Sequence, residues 1–347
     1  MQKKIITIIT AFTLSITFLF SLMSCDLSEG NNIIGPDLSD FVKVNGGTVS
    51  GAVADSSVFI EGRTITIRDL YVCEHEVTQK EFSKYMKPYL AGYSDPFVWG
   101  SSGTGDNYPV FWTSWYSAIM YCNLRSKAEG LTPVYYIEIE GKKETDVDKW
   151  HSSLQLTRFG KKDGKFFYMG AQAGEGSFES KLDYEGSSDT DGGIQFDKNA
   201  NGYRLPTEVE WEYIARGGNN GIPVEQYTYS GSNDYSEVAV CGNEYQGLVQ
   251  GNEIKSKEPN SINIYDMSGN AFEWVWDWYI PDSTITKDTD ESGPDECYSN
   301  NGGSTGRVKK GGSYNNSCYQ SQINGRFYMR PGFQNSGAGF RVVRNAD

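Results

Sequence analysis

The segment from Gly311 to Arg341, GGSYNNSCYQSQINGRFYMRPGFQNSGAGFR, constrains the fold more than any other part of the chain. It opens on a Gly-Gly-Ser tight turn, closes on Gly339-Phe340-Arg341, and interleaves aromatic rings with small polar residues. Tyr314, Tyr319, Phe327, Tyr328 and Phe333 bring large apolar faces with few rotors. Asn315, Asn316, Ser317, Ser321, Asn324, Gly325, Asn335, Ser336 and Gly337 bring short hydrogen-bonding groups and turn geometry. Asn, Ser and Gly favour turns over long regular elements, so this stretch is expected to be irregular. Two readings are open. Rigid amphipathic rings among adaptable polar groups are the composition of a binding paratope, and equally the rings could complete a core under an ordinary loop. On the first reading the ligand-contact residues are Tyr314, Asn316, Ser317, Tyr319, Ser321, Asn324, Gly325, Phe327, Tyr328, Phe333, Asn335, Ser336 and Gly337. Tyr319, Phe327, Tyr328 and Phe333 should then be exposed and clustered on one face.

At the other end, Lys3 and Lys4 precede an apolar run from Ile5 to Leu22 and then Ser24-Cys25. A basic start, an apolar stretch and small residues before a cut describe a secretory signal. Cysteine directly after the cut resembles a bacterial lipobox, which makes residues 1–24 the signal and Cys25 the lipidated first residue. An uncleaved membrane anchor is the alternative, because the run approaches the roughly 20 residues that span a bilayer. Residues 25–40 then form a polar tether, broken by Gly30, Asn31, Asn32, Gly35 and Pro36. The expectation is an exported protein held on a membrane, on the outer-membrane surface or its periplasmic face.

The remaining length, residues 41–347, suits one large domain, with no repeat or break in composition dividing it. A net charge of -14 with no basic cluster argues against nucleic acid as a partner. Beyond Cys25 stand Cys73, Cys122, Cys241, Cys297 and Cys318. A disulfide is allowed in an exported chain, but the odd number leaves a free thiol and the pairing stays open. Cys122 falls on the apolar face of a predicted helix and reads as a buried thiol. His75 and His151 are the only histidines, too few for a multi-histidine iron or zinc site.

Short β-like runs at 51–53, 58–60 and 64–67 lead to a first helix. Thr78 with Glu81 makes its capping box, and Phe82, Tyr85 and Met86 share a face. A second helix is predicted over 114–129 with Trp115, Ala118, Ile119 and Cys122 inward and Gly130 as its stop. Short strands and turns follow to Asn201, with a Gly- and Ser-rich loop at 174–193. Thr207 with Glu210 caps a third helix carrying Trp211, Ile214 and Ala215. This is an α+β pattern with few helices and much irregular structure.

Several blocks, in order, resemble the formylglycine-generating enzyme (sulfatase-modifying factor) family. They are Glu76-Val77-Thr78, the run YRLPTEVEWE from Tyr203 to Glu212, the run IYDMSGNAFEW from Ile264 to Trp274, and KGGSY from Lys310 to Tyr314 closed by Gly339-Phe340-Arg341. Together they cover nearly all of 41–347. The resemblance implies a C-type-lectin-like fold in its large, loop-rich form. It also implies calcium at Asp266, Gly269, Ala271 and Glu273, through two carboxylates and backbone carbonyls, a donor set that suits a hard cation. The alternative for Glu273 is a hydrogen bond to the backbone of its own turn.

The family's chemistry needs two cysteines, three residues after Gly-Gly-Ser and five further on. Those positions hold Asn316 and Ser321, so the thiolates that bind copper and attack substrate are missing. The iron-dependent branch needs a histidine cluster, so neither copper nor iron is expected. What remains resembles the variable proteins of diversity-generating retroelements, of the treponemal surface-lipoprotein kind, which diversify this C-terminal block by adenine-directed mutagenesis. Asn, Ser, Tyr, Gly, Ile, Phe, Cys and Arg are all reachable from an AAC codon by changing adenines. Gln320, Gln322, Met329 and Gln334 are not. The expectation is a non-enzymatic, lipid-anchored binding protein whose block 311–341 faces a ligand, a protein or a host or bacterial surface molecule. Arg326 and Arg341 are read as scaffold. The alternatives are a residual formylglycine-generating oxidase and a structural lipoprotein with no dedicated ligand.

Overall fold

Thr78, Ser114 and Thr207 each end an extended segment and start a helix, and in each the hydroxyl accepts the backbone N–H three residues on. The residue three on returns a side-chain bond to the cap backbone, completing a capping box in all three. These caps set the frame seen in a computed structural model of the chain. It describes residues 35–51, 57–87, 99, 102–154, 159–162, 165–168, 194–218, 227–243, 248, 250–281, 293, 306–332 and 334–346. The signal, Cys25 and the tether as far as residue 34 lie outside the described residues, as do the 174–193 loop, Cys297 and Phe333.

The order begins with β1 (Phe41–Val44), β2 (Gly47–Ser50), β3 (Thr64–Ile67), β4 (Leu70–Cys73), α1 (Gln79–Met86) and α2 (Trp115–Ala128). It continues through β5 (Tyr135–Ile139), β6 (Lys142–Glu144), α3 (Val147–Leu154), β7 (Phe159–Lys162), β8 (Lys165–Tyr168) and β9 (Gln195–Phe196). Then come α4 (Glu208–Ala215), α5 (Tyr235–Val238), β10 (Ala239–Val240), β11 (Ser268–Gly269), β12 (Phe272–Trp278) and β13 (Arg307–Lys310). A 3-10 turn (Cys318–Ser321), β14 (Phe327–Met329), β15 (Ala338–Gly339) and β16 (Val343–Asn345) close the chain. The strand expected at 58–60 is not formed, residues 52 and 53 of the one expected at 51–53 lie outside the described residues, and the one expected at 64–67 is β3, paired with β2. Helix α3 was not legible in the sequence.

Both ends of the domain meet in one antiparallel sheet of order β1-β4-β16. The second main sheet has the order β14-β13-β12-β15, with β12 and β15 parallel and the other pairs antiparallel. It receives the C-terminal block. Helix α2 packs Trp115, Ile119, Tyr121 and Cys122 with Trp274, Tyr314 and Phe340 in one apolar cluster. Helix α4 centres a second, with Trp211 and Ile214 against Ile65, Val275 and Val308. The stripe expected on α4 proves to be the whole helix, since all eight of its residues are buried. Its three glutamates can be buried because each has a cationic partner. Glu210 meets Arg204 at 2.6 and 2.8 Å, Glu212 meets Arg216 at 2.8 Å, and Glu208 meets Arg326 at 2.7 and 2.9 Å. Arg326 is therefore scaffold, as the sequence reading held.

Candidate functional site

The C-terminal block is tied to the rest of the fold through its main chain. Gly311 O accepts from Gly269 N at 2.7 Å, Tyr314 N donates to Asn270 O at 2.9 Å, and Tyr314 O accepts from Leu248 N at 2.7 Å. Asn316 O accepts from Gly242 N, and Ile323 N donates to Thr228 O. Pro331 O, Asn335 O and Ala338 O accept from the N–H groups of Trp115, Trp112 and Thr113, and Gly337 O accepts from Phe272 N. None of these bonds depends on a side chain of the block. The path of the chain is thereby fixed while its outward side chains are left out of the account. A covalent tie adds to it: Cys318 forms a disulfide with Cys241 across a separation of 77 residues. Cys122 and Cys73 are free and buried, as expected for Cys122.

Within that frame the candidate residues separate into two groups. Tyr319 is 73% exposed and Tyr328 44%. Asn316, Ser317, Asn324, Gly325, Phe327, Asn335 and Ser336 are half-buried, and Asn315 is exposed. Tyr314 is a correction, because it is 2% exposed, meets Phe111 edge-on at 5.3 Å and donates to Ser336 O at 3.2 Å. Ser321 is also buried, packed under Gly312, where a Cβ would lie 2.4 Å from Ser321 Oγ and where φ of +74° favours glycine in any case. Gly337 is buried against Ser313 and Asn315. These three belong to the scaffold.

The clustering of rings needs a second correction. Phe327 and Tyr328 are consecutive on β14, and successive strand residues leave opposite faces. Phe327 meets Phe272 edge-on at 5.1 Å, while Tyr328 stacks on Tyr279 at 4.6 Å. Phe327 and Tyr328 therefore do not share one patch, and Phe333 lies outside the described residues. Sequence reasoning also missed Tyr227, Tyr235 and Leu248, the other exposed large apolar residues among those described. Leu248 is hydrogen-bonded to Tyr314, and Tyr227 adjoins Thr228, the acceptor for Ile323. The signal that could have found them is a large side chain beside polar turn residues: Gln226 and Thr228 at Tyr227, Asp234 and Ser236 at Tyr235, and Gly247 at Leu248.

The motif blocks interlock behind this face. Glu76 accepts from Asn270 Nδ2 at 2.9 Å and Ala271 N at 2.7 Å. Glu273 accepts from Trp211 Nε1 at 2.7 Å, and both its oxygens take Arg341 donors at 2.7–3.0 Å. Arg341 sends its remaining bonds to the carbonyls of Cys73 and Tyr265. The tight backbone at Asp266, Gly269 and Asn270, with φ of +58°, +83° and +58°, lets these groups converge. A Cβ at Gly269 would lie 2.3 Å from Val240 O.

This geometry does not fit calcium at Asp266, Gly269, Ala271 and Glu273. A cation at Glu273 would have to displace a guanidinium already bound to both oxygens. Asp266 gives one oxygen to Lys255 N at 2.7 Å and leaves the other without a hydrogen-bond partner. Burial pushes its carboxyl up to about 6, against the pull of the Lys255 amide, Arg341 and His75. Burial, then Asp266 and Glu273, pushes Glu76 well above the usual carboxylate range. Among the described residues no group of three His, Cys, Asp or Glu side chains is placed to hold a metal ion.

The two positions where the resemblance calls for catalytic thiols hold an amide and an enclosed hydroxyl. Asn316 accepts a hydrogen bond from Ser313 Oγ, and Ser321 Oγ is buried without a partner. The thiol between them, Cys318, is consumed by the disulfide. Within the block, no thiolate is left to bind copper or to attack a substrate.

The sulfatase-modifying factor enzyme 1-like domain matches residues 34–346. The chain is similar to the chaperone protein LppX of Paenibacillus barcinonensis, 29% identical over 344 residues, covering 93% of this chain and 94% of that protein. It is similar to the formylglycine-generating enzyme of Bos taurus over a smaller part, 31% identical over 152 residues, 41% of this chain and 39% of that enzyme. Among solved structures, Treponema denticola variable protein 1 matches with a TM-score of 0.61 at 25% identity, over 88% of this chain and 95% of that one. The α+β, C-type-lectin-like fold of the formylglycine-generating-enzyme type is the one observed.

Proposed function

The chain belongs to the sulfatase-modifying factor enzyme 1-like domain family, and from that premise we propose that it is a non-enzymatic binding protein. It is exported, anchored by a lipid on Cys25, and it presents the block 311–341 to a protein ligand. The observation that carries this reading is the main-chain attachment of the block. Side chains such as Ser317, Tyr319 and Tyr328 can change without removing any of these main-chain bonds, which is what a diversified face requires. Asn316 and Ser321 at the thiol positions support the absence of oxidase chemistry. Likeness to a variable protein and to a protein named a chaperone supports recognition of another polypeptide.

A random twelve-residue peptide library selected against the purified domain tests the face. Selected peptides should bind Tyr319→Ala or Tyr328→Ala about thirtyfold more weakly, the ~2 kcal/mol expected of an aromatic hot spot. Peptides that bind the double variant as tightly as the parent would overturn the assignment. The anchor has its own test, since Cys25→Ala should abolish labelling by radioactive palmitate, and unchanged labelling would exclude it.

A further inference from the structure

Lys309 and Lys310 are consecutive on β13, so their side chains leave opposite faces of the sheet. Lys310 points into the core, where its Nζ lies 3.6 Å from Glu212 and 3.9 Å from Glu208. Lys309 points the other way and, among the described residues, meets no carboxylate. Its ammonium sits 3.8 Å from the centre of the Phe272 ring, and its register partners are Trp274 on β12 and Phe327 on β14. Phe327 leans on Phe272, and Phe272 N donates to Gly337 O, which brings the 335–337 turn to the same edge. Phe327 and that turn belong to the C-terminal block, and Lys309 stands directly behind them.

A cation over an aromatic face is favourable, but it does not replace the hydration or counter-ion that burial removes. Lys309 is 9% exposed. Unlike Lys310 Nζ, which is fully enclosed, its ammonium is not cut off from solvent. Among the described residues no carboxylate faces it: β12 offers Phe272 and Trp274, β14 offers Phe327 and Met329, Glu273 turns to Arg341 on the far side, and Arg307, two residues back on the same face of β13, lies over Trp115, Trp276 and Trp278. Burial alone therefore acts on its titration and brings the pKa down to about 8. The carboxylates of the region are committed elsewhere, Glu208 to Arg326, Glu212 to Arg216 and Glu273 to Arg341. A positive charge is held beside Phe327 of the block, and among the described residues no anion meets it.

We propose that Lys309 is a fixed anchor for a carboxylate carried by the ligand, with the half-buried Phe327 packing against the apolar atoms beside that carboxylate and the buried Phe272 ring holding the ammonium from behind. The assignment rests on the reading of the block as a ligand face and adds the chemistry of what it takes: an acidic side chain or chain terminus flanked by apolar groups. It also gives a diversified surface one constant contact, because Lys309 precedes the block and does not vary with it.

Phenylacetate is a minimal probe with the required carboxylate and ring, and phenylacetamide is its neutral counterpart. Saturation-transfer NMR on the intact domain at pH 7 should show contact with phenylacetate and none with phenylacetamide. The phenylacetate signal should fall at least fivefold by pH 10, because the amine is charged below about 8 and neutral above it. Lys309→Met should abolish the signal, while Lys309→Arg should keep it at both pH values. Equal signals from the two probes, a signal that survives Lys309→Met, or a pH-dependent fall in Lys309→Arg would each overturn the proposal. If the methionine variant does not fold, the comparison of parent and arginine variant at pH 10 decides. Phenylacetate does not require Tyr319 or Tyr328. Loss of peptide binding in those variants with phenylacetate contact intact supports the face and the lysine together. Peptide selection that succeeds while phenylacetate fails faults the lysine alone.

Discussion

Tyr314 and Tyr319 are five residues apart in the same block, and truncating them should have opposite consequences. Tyr314 is enclosed, edge-on to Phe111 at 5.3 Å, with its hydroxyl on Ser336 O at 3.2 Å. An aromatic side chain buries roughly 150–250 Å², which at about 25 cal/mol per Å² corresponds to roughly 4–6 kcal/mol of transfer. Partial collapse of the cavity offsets some of this, so Tyr314→Ala should destabilise the domain by roughly 3–5 kcal/mol. For a domain of this size that is a fall in Tm of about 5–10 °C. Tyr319 is 73% exposed on a turn held by the Cys241–Cys318 disulfide, so Tyr319→Ala should change stability by no more than about 0.5 kcal/mol. Urea titration followed by tryptophan fluorescence measures both. Comparable losses from the two substitutions would refute the division of the block into scaffold and face. A Tyr314→Ala variant as stable as the parent would refute the packing argument itself.

The remaining predictions concern the supports of the face. Arg341→Met should cost about 3–5 kcal/mol, because it leaves Glu273 buried without its cation. With that guanidinium in place, calcium and chelator should give superimposable melting curves, and a rise of several degrees with calcium would contradict the fit of Glu273 to Arg341. Replacing both Cys241 and Cys318 by serine should cost about 2–4 kcal/mol, somewhat below the roughly 4.5 kcal/mol that loop entropy gives for a separation of 77 residues. A reductant should reproduce that loss in the parent and leave the double variant unchanged.

Much of the frame was legible because its signals are local. The capping boxes at Thr78 and Thr207 lie within four residues of sequence, and the structure forms both. Arg326 and Arg341 could be read as scaffold, but their partners Glu208 and Glu273 lie 118 and 68 residues away. No spacing rule finds such pairs. The calcium expectation was reached for the same reason: Asp266 and Glu273 flank a turn in sequence, whereas the guanidinium that claims Glu273 arrives from the last strands. The choice of Cys241 as partner for Cys318 is equally non-local. Composition identified the block but could not sort it. Tyr314 and Tyr319 are the same residue type in the same context, and only the Leu248 and Asn270 hydrogen bonds that draw Tyr314 inward tell them apart. Strand alternation would have separated Phe327 from Tyr328, had the sequence shown that β14 forms there.

The central claim is that the block 311–341 keeps its path through main-chain bonds and buried anchors while its outward side chains are free to vary. Saturation mutagenesis of every position from Gly311 to Arg341, read by surface display with a conformation-dependent antibody to a distant part of the domain, tests it most directly. The account predicts broad tolerance at Ser317, Tyr319 and Tyr328. It predicts loss of folded display at Gly311, Gly312, Tyr314, Ser321, Gly337 and Arg341, where positive φ, enclosure or a buried ion pair leaves no room for change. Tolerance spread evenly along the block, or intolerance concentrated at Tyr319 and Tyr328, would contradict it.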